Sequence, residues 1–297
     1  MCPFCQNTHS IKKRGFYYKR STRSVKIQRY QCHNCQKSFS DQTGKLTYRD
    51  KKPHLNQAIY RVICSGVSQT RSAVILGTTR VTVASKISKL ARFARRDHRN
   101  WQIQQTTAKE IQFDEMETFE HSKCKPISIA LAVNKKNRAI IAAIPATMPA
   151  KGRLAKISRK KYGHRPDKRR FALRKLMEEI RFTYPHIETC IRTDKKPAYK
   201  TYTNKFFPSV PHLTTKGKRG CVVGQGELKA TSYDPIFNLN HNCAMFRDNL
   251  KTLTRKTWCT VKKTCRFFDL LDLYIHFHNQ FIVTKNKKPL INSEPIM

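Results

Sequence analysis

The sequence predicts an α/β protein preceded by two smaller units, one β and stapled by metal, the other all helical. Three observations carry that expectation. Two C-x-x-C pairs lie close together near the N-terminus, the apolar spacing turns helical from His54, and strand-like runs punctuated by helical ones follow from Glu110. The boundaries read as a metal-binding β unit at 1–45, a helical unit at 46–97, a polar linker at 98–107, the α/β unit at 108–285 and a loose tail at 286–297.

Cys2-Pro-Phe-Cys5 and Cys32-His-Asn-Cys35 each bring two thiolates to one ion, and together they make a closed tetrahedral site that suits structural zinc. Between them Ile11–Gln31 alternates basic and β-prone residues and reads as a hairpin, so the unit has the pattern of a zinc ribbon. A redox C-x-x-C needs only one pair. With four cysteines available, His9 and His33 read as surface residues, and Cys64, Cys124, Cys190, Cys221, Cys243, Cys259 and Cys265 as small packing residues.

Leu55, Ile59, Val62 and Ile63 then share a helical face, Ser68 caps a second helix over Gln69–Leu76, and Gly77-Thr78-Thr79 turns into a third at about Val81–Arg95. Three short helices ending in a basic one fit a helix-turn-helix, with Arg80, Lys86 and Lys89 on the outward, DNA-facing side. An ordinary three-helix unit with a solvated basic face has the same pattern.

In the α/β unit the expected order is a strand over Glu110–Asp114, a hairpin of Pro126–Val133 and Ala139–Pro145, and a helix over Phe171–Arg181. A strand over His186–Asp194 follows. That is the order of a ribonuclease H-like sheet, in which the ends of the first and fourth strands are neighbours. Lys151–Arg170 reads as a flexible basic loop, His212–Thr215 as a further strand, Asn240–Lys263 and Phe267–Phe281 as helices, and Trp258 as a core residue, with stacking on a base as the other reading.

Sixty Lys+Arg against 19 Asp+Glu give 297 residues a formal charge of +41. Such self-repulsion is best relieved beside a polyanion, so DNA is the expected partner. No apolar run approaches the ~20 residues of a spanning helix, and MCPFC lacks the apolar region of a signal peptide, so no membrane association is expected and the protein reads as intracellular.

In this cationic chain Asp114 and Asp194 stand out as two acids at strand ends. Each alone reads equally well as an ion-pair partner. Together with a polar group from a late helix they form the pattern that holds two divalent metals about 4 Å apart, and Mg²⁺ suits such hard oxygen ligands.

Asp114-Glu115-Met116 after a strand, Thr193-Asp-Lys-Lys-Pro-Ala-Tyr199 and the run Phe246–Lys263 resemble the DDE-type transposases of bacterial insertion sequences. The similarity is to the branch related to the smallest and first-described of these elements, which also begins with a C-x-x-C zinc ribbon and a helix-turn-helix. The resemblance spans about Cys2 to Phe281. It implies metal-dependent DNA cleavage and strand transfer, with Mg²⁺ (Mn²⁺ as substitute) held by Asp114, Asp194 and a third residue. It also implies a homodimer or larger assembly on DNA and a cytoplasmic, nucleoid-associated setting of bacterial type. The third ligand of such enzymes is usually a glutamate two turns before a basic residue; Asn240 occupies that place before Arg247, with Glu227 and Asp234 as alternatives. Arg247, Arg255 and Lys256 would contact DNA backbone. A DNA-binding regulator or decayed transposase without cleavage is the alternative function.

Overall fold

The computed structural model describes residues 1–18, 25–215, 234–254 and 258–284. They form two compact units, one built on Met1–Ala58 and the other on Ile59–Lys288.

The first unit is a three-stranded antiparallel sheet, β1 (Ile11–Tyr18), β2 (Lys26–Cys32) and β3 (Ser38–Ser40), in the order β1-β2-β3. Its apolar interior is small: Ile27, Leu46, Cys2 and Cys32 are buried, whereas β1 is exposed along nearly all its length. A core this small needs a second source of stability.

The second unit starts within α1 (Leu55–Ile63). It continues through α2 (Gln69–Ile75), capped by the Ser68 hydroxyl, and α3 (Arg80–Ile103), capped by the Thr79 hydroxyl. Gly77, at φ +56°, makes the turn between α2 and α3. A mixed five-stranded sheet follows, built from β4 (Thr107–Phe119), β5 (Pro126–Asn134), β6 (Ile140–Thr147), β7 (His186–Asp194) and β8 (His212–Thr215). The strand order is β6-β5-β4-β7-β8. β6, β5 and β4 pair antiparallel, while β4-β7 and β7-β8 are parallel. Successive residues Glu110 to Phe113 are all buried, and since side chains alternate across a strand, β4 is covered on both faces. α5 (Arg169–Thr183) lays Leu173, Leu176, Met177 and Ile180 on β5 and β6; α7 (Phe237–Asn249) packs on β4 and β5, and α8 (Thr264–Phe277) on α3 and β6. A π-helical segment, His278–Val283, continues α8. No helix among the described residues is long and apolar enough to cross a membrane.

Five sequence expectations are corrected here. The linker at 98–107 is mostly helix: α3 runs on to Ile103 because its polar residues are anchored rather than solvated. His98 Nε2 donates to the Ile141 carbonyl (2.8 Å), and Gln102 Nε2 and Arg99 Nη1 donate to Glu179 (3.0 Å each). The three-helix unit is therefore continuous with the sheet rather than separated from it. Lys151–Arg170 contains a helix, α4 (Leu154–Tyr162), tied down by Ser158 Oγ to the Cys124 carbonyl (2.6 Å) and by Arg165 to Glu120. β4 does not end at Asp114 but continues to Phe119 along β5. The late helix stops at Asn249 instead of running to Lys263. Leu250 turns extended so that it and Leu253 can be buried, and Gly66, at φ +77°, approaches so closely that a Cβ there would lie 2.7 Å from the Asp248 carbonyl. Beyond it Val261 bridges to Glu120, and Trp258 is not a core residue but 98% exposed.

Candidate functional site

Two sites take shape. In the first unit the Sγ atoms of Cys2, Cys5, Cys32 and Cys35 lie within 4.8 Å of one another, an all-thiol set that could hold a metal ion such as zinc. The two knuckles are near copies. The Cys2 amide donates to the Asn7 carbonyl (2.8 Å) and the Cys32 amide to that of Lys37 (3.0 Å), and Gln6 and Gln36, just after the second cysteine of each, both take φ 58°. The Asn7 backbone lowers the Cys5 thiol to about 6 despite burial, so a thiolate is available at neutral pH. Cys35 moves the other way, to about 11: the Lys37 amide favours its thiolate, but burial and the three neighbouring thiols outweigh it. A divalent cation removes that conflict by stabilising all four thiolates. His9 and His33 are exposed, as expected of residues outside the set.

In the second unit the parallel register pairs β4 with β7 up to Gln112 and Arg192; carried two residues further it brings Asp114 next to Asp194, whose charge Asp114 feels. β7 ends at Asp194 while β4 runs on, which places the pair where the parallel strands part. In open α/β sheets ligands bind at the carboxyl ends of parallel strands. Asp114 is anchored through Oδ1 alone, which accepts from its neighbour's amide (2.6 Å) and the Tyr199 hydroxyl (2.9 Å). Asp194 is likewise anchored through Oδ1, by the Lys196 amide (3.0 Å). Among the described residues neither Oδ2 has a hydrogen-bond partner, so two carboxylate oxygens are left to meet a ligand.

Electrostatics separate Asp114 from a structural acid. Glu110, four residues earlier on β4, would be raised by burial, yet hydrogen bonds from Lys135 (2.8 Å) and Arg192 (2.9 Å) hold it below the usual carboxylate range. Asp114 has no such ion pair among the described residues. Burial, and then the neighbouring Asp194, push its carboxyl up to about 6 against the lowering by Tyr199 and Lys196. Lys196 instead pairs with Glu115, whose other oxygen takes the Ser128 hydroxyl (3.0 Å).

Tyr199, fully buried and set edge-on to Phe113 (4.9 Å between centroids), is a site residue the sequence reading did not single out. It lies on α6 (Pro197–Phe206), a helix also missed. The available signal was Pro197 shortly after Asp194: proline favours the first helical turn, which puts Tyr199 just inside a helix that starts at the acid.

Asn240, the expected third ligand, lies exposed on α7 with its Nδ2 donating to Asp234 Oδ2 (2.9 Å). No hydrogen bond among the described residues joins it to either aspartate. α7 is nevertheless docked beside the pair. Gln112 donates to the Pro235 carbonyl (2.9 Å) and accepts from the Leu239 amide (3.2 Å), and Cys243, one turn after Asn240, feels the charges of both Arg247 and Asp114. Burial raises this thiol to about 12, so it stays protonated. Among the described residues the four cysteines are the group of three or more metal-binding side chains that the structure gathers; no third such group joins the aspartates.

Of the expected DNA contacts, Arg80 is exposed, Lys89 half-buried and Arg247 half-buried. Lys86 is corrected: it is buried at 6%, because it falls three residues after Val83 and four before Leu90, on the stripe that faces the core. The outward face of α3 continues into a groove against α8 lined by Arg92, Arg95 and Arg266, with Asp269 between them. Arg255, Lys256, Glu227 and Cys221 lie outside the described residues.

No protein-family model matches the chain, and no curated protein gives a significant match.

Proposed function

We propose that the chain is a DDE-type transposase with a ribonuclease H-like catalytic unit, binding the DNA ends of a mobile element and catalysing metal-dependent strand cleavage and transfer. The observation that carries this reading is the pair Asp114 and Asp194, side by side where the parallel strands part, each tethered through one oxygen and lacking a cation for the other. The strand order, three antiparallel strands followed by two parallel ones, supports the ribonuclease H-like assignment.

The donor set fits a hard divalent ion, Mg²⁺ or Mn²⁺, held by Asp114 and Asp194. When bound, such an ion supplies positive charge against the oxygens of a scissile phosphate and promotes formation of the nucleophile. The chain's own residues do the positioning. Tyr199 fixes the Asp114 carboxylate, the start of α6 fixes Asp194, and Lys196 neutralises Glu115 so that a second acid does not add to the repulsion. Arg80 and the exposed start of α3 would face the DNA groove in the manner of a helix-turn-helix, and the zinc-holding ribbon would support end binding. Work on two ends implies a homodimer or larger assembly on DNA.

The engagement of Asn240 with Asp234 favours a second reading, a DNA-binding regulator or decayed transposase that grips without cutting. Strand cleavage of end-containing DNA with Mg²⁺ or Mn²⁺ separates the two. On the enzyme reading Asp114→Ala and Asp194→Ala each lower cleavage by roughly 10³-fold or more while end binding persists. Equal behaviour of wild type and Asp114→Ala sinks the enzyme reading and leaves binding standing. Cutting without joined product would mark a plain nuclease.

A further inference from the structure

The zinc-ribbon unit turns aromatic rings outward. Phe16 and Tyr18, two apart on β1 and therefore on one face, are 48% and 52% exposed. Their cross-strand partners are Gln28 and Lys26, and the other face carries Ile27, 3% exposed, which the unit uses for its core. A bulge between Lys13 and Phe16, with Gly15 at φ +67° and its carbonyl held by Gln28 Nε2 (2.6 Å), sets the direction of the outer half of the strand.

The rings are interleaved with cations. Lys26 Nζ sits 3.7 Å from the Phe16 centroid, and Phe4, 49% exposed in the first knuckle, has Lys37 Nζ at 5.0 Å. Phe16 and Tyr18 meet edge to face, with centroids 5.7 Å apart and planes at 88°. Lys12 and Arg14 extend the same strand, and residues 1–40 contain no Asp or Glu.

We infer that this face binds unpaired nucleotides, its cations tracking the phosphates while bases stack on Phe16 and Tyr18. A duplex backbone would use the cations but give the rings nothing to do, because paired bases are already stacked. Unpaired bases offer free π-faces to half-exposed aromatics and phosphates to the lysines beside them, and aromatic rings with a basic groove form the recurrent single-strand platform. A membrane or acidic protein would engage the charge and the rings but would leave no preference for a base-bearing over an abasic chain. The inference rests on the nucleic-acid partner of the proposed function but not on its cleavage chemistry.

The test uses the full-length, zinc-loaded protein and three fluorescent probes: a thymidine oligomer, an abasic chain of equal length and a duplex. Wild type should bind the thymidine oligomer about tenfold or more tighter than the abasic chain. The variant Phe16→Leu/Tyr18→Leu, which keeps apolar bulk without the aromatic face, should lose that preference and bind duplex within about twofold of wild type. Phe16→Tyr/Tyr18→Phe should restore it. Zinc content of one ion per chain shows that the variants keep the ribbon. Equal wild-type affinity for the abasic chain, or a leucine variant that keeps the preference, overturns the inference. If duplex ends are bound and cut but no base preference exists, this inference alone falls; if neither oligomer nor duplex binds, the nucleic-acid partner falls with it.

Discussion

The four-cysteine cluster and the aspartate pair stand in opposite relations to their scaffolds. The cysteines come as two knuckles, each closed within a few residues by its own backbone, in a unit with few buried apolar side chains. The aspartates are far apart in the chain and meet only because β4 and β7 pair inside a large core that both faces of the sheet help to build. In the first site the metal would complete the fold; in the second the fold holds like charges together that an ion would relieve. A metal site can therefore be a source of stability or a drain on it, and ligand spacing in sequence tells the two apart.

The strongest way to break this contrast is to deny the four cysteines any metal. Chelation, or Cys5→Ser, should abolish the strand structure of residues 1–40, since structural zinc contributes about 10–16 kcal/mol of apparent binding energy to small folds. The sheet unit should melt within a few degrees of its usual temperature. Loss of both units in one transition, followed by hydrogen exchange, would show that the larger unit also depends on the ribbon.

Acid should act on the second unit instead. His98 donates to the Ile141 carbonyl in β6 and His278 to the Arg138 carbonyl just before that strand, and burial lowers both imidazoles to about 4 from an ordinary 6.5. Below pH 6.5 the unfolded chain takes up protons that the folded chain refuses. Stability is then complete above about pH 6.5 and is lost as pH falls towards 4, by about 3 kcal/mol per histidine. Urea midpoints of the sheet unit across that range should fall accordingly, and His278→Gln should flatten part of the slope. A flat profile in the wild type would mean that these imidazoles titrate normally.

The smallest expected effect sharpens the contrast most. The Asp114 carboxyl, raised to about 6 from 3.8, holds its proton more tightly in the folded state. Its penalty is absent below about pH 4 and fully present above about pH 6. Asp114→Asn should therefore stabilise the sheet unit by about 2 kcal/mol at pH 8, allowing for its residual exposure, and by little at pH 4. Destabilisation at pH 8 would show that the Tyr199 hydrogen bond to the carboxylate outweighs the repulsion.

Where the controlling interactions are local, the sequence reading and the structure largely coincide, with α6 and Lys86 as exceptions. The C-x-x-C knuckles, the Ser68 cap, the Gly77 turn and the β5-β6 hairpin are each set by residues within a turn or two of one another. Composition went astray where polar or basic residues are satisfied internally. The Gln-rich stretch after Asp97 looked like a linker until Glu179 and the Ile141 carbonyl gave its side chains partners, and Lys86 looked solvent-facing although its spacing puts it on the buried stripe of α3. Trp258 erred the other way, its apolar ring suggesting a core that the end of α7 at Asn249 denies it.

The sequence by itself thus determined the four-cysteine cluster, the helices around the α2-α3 turn, and the two acids worth attention. Only the tertiary structure decided that Asp114 stands beside Asp194, that Tyr199 holds it, and that Asn240 turns to Asp234. The reason is physical. Local spacing fixes which face of a strand or helix a side chain joins, whereas the charge state and partners of a half-buried carboxylate depend on segments brought to it from elsewhere in the chain.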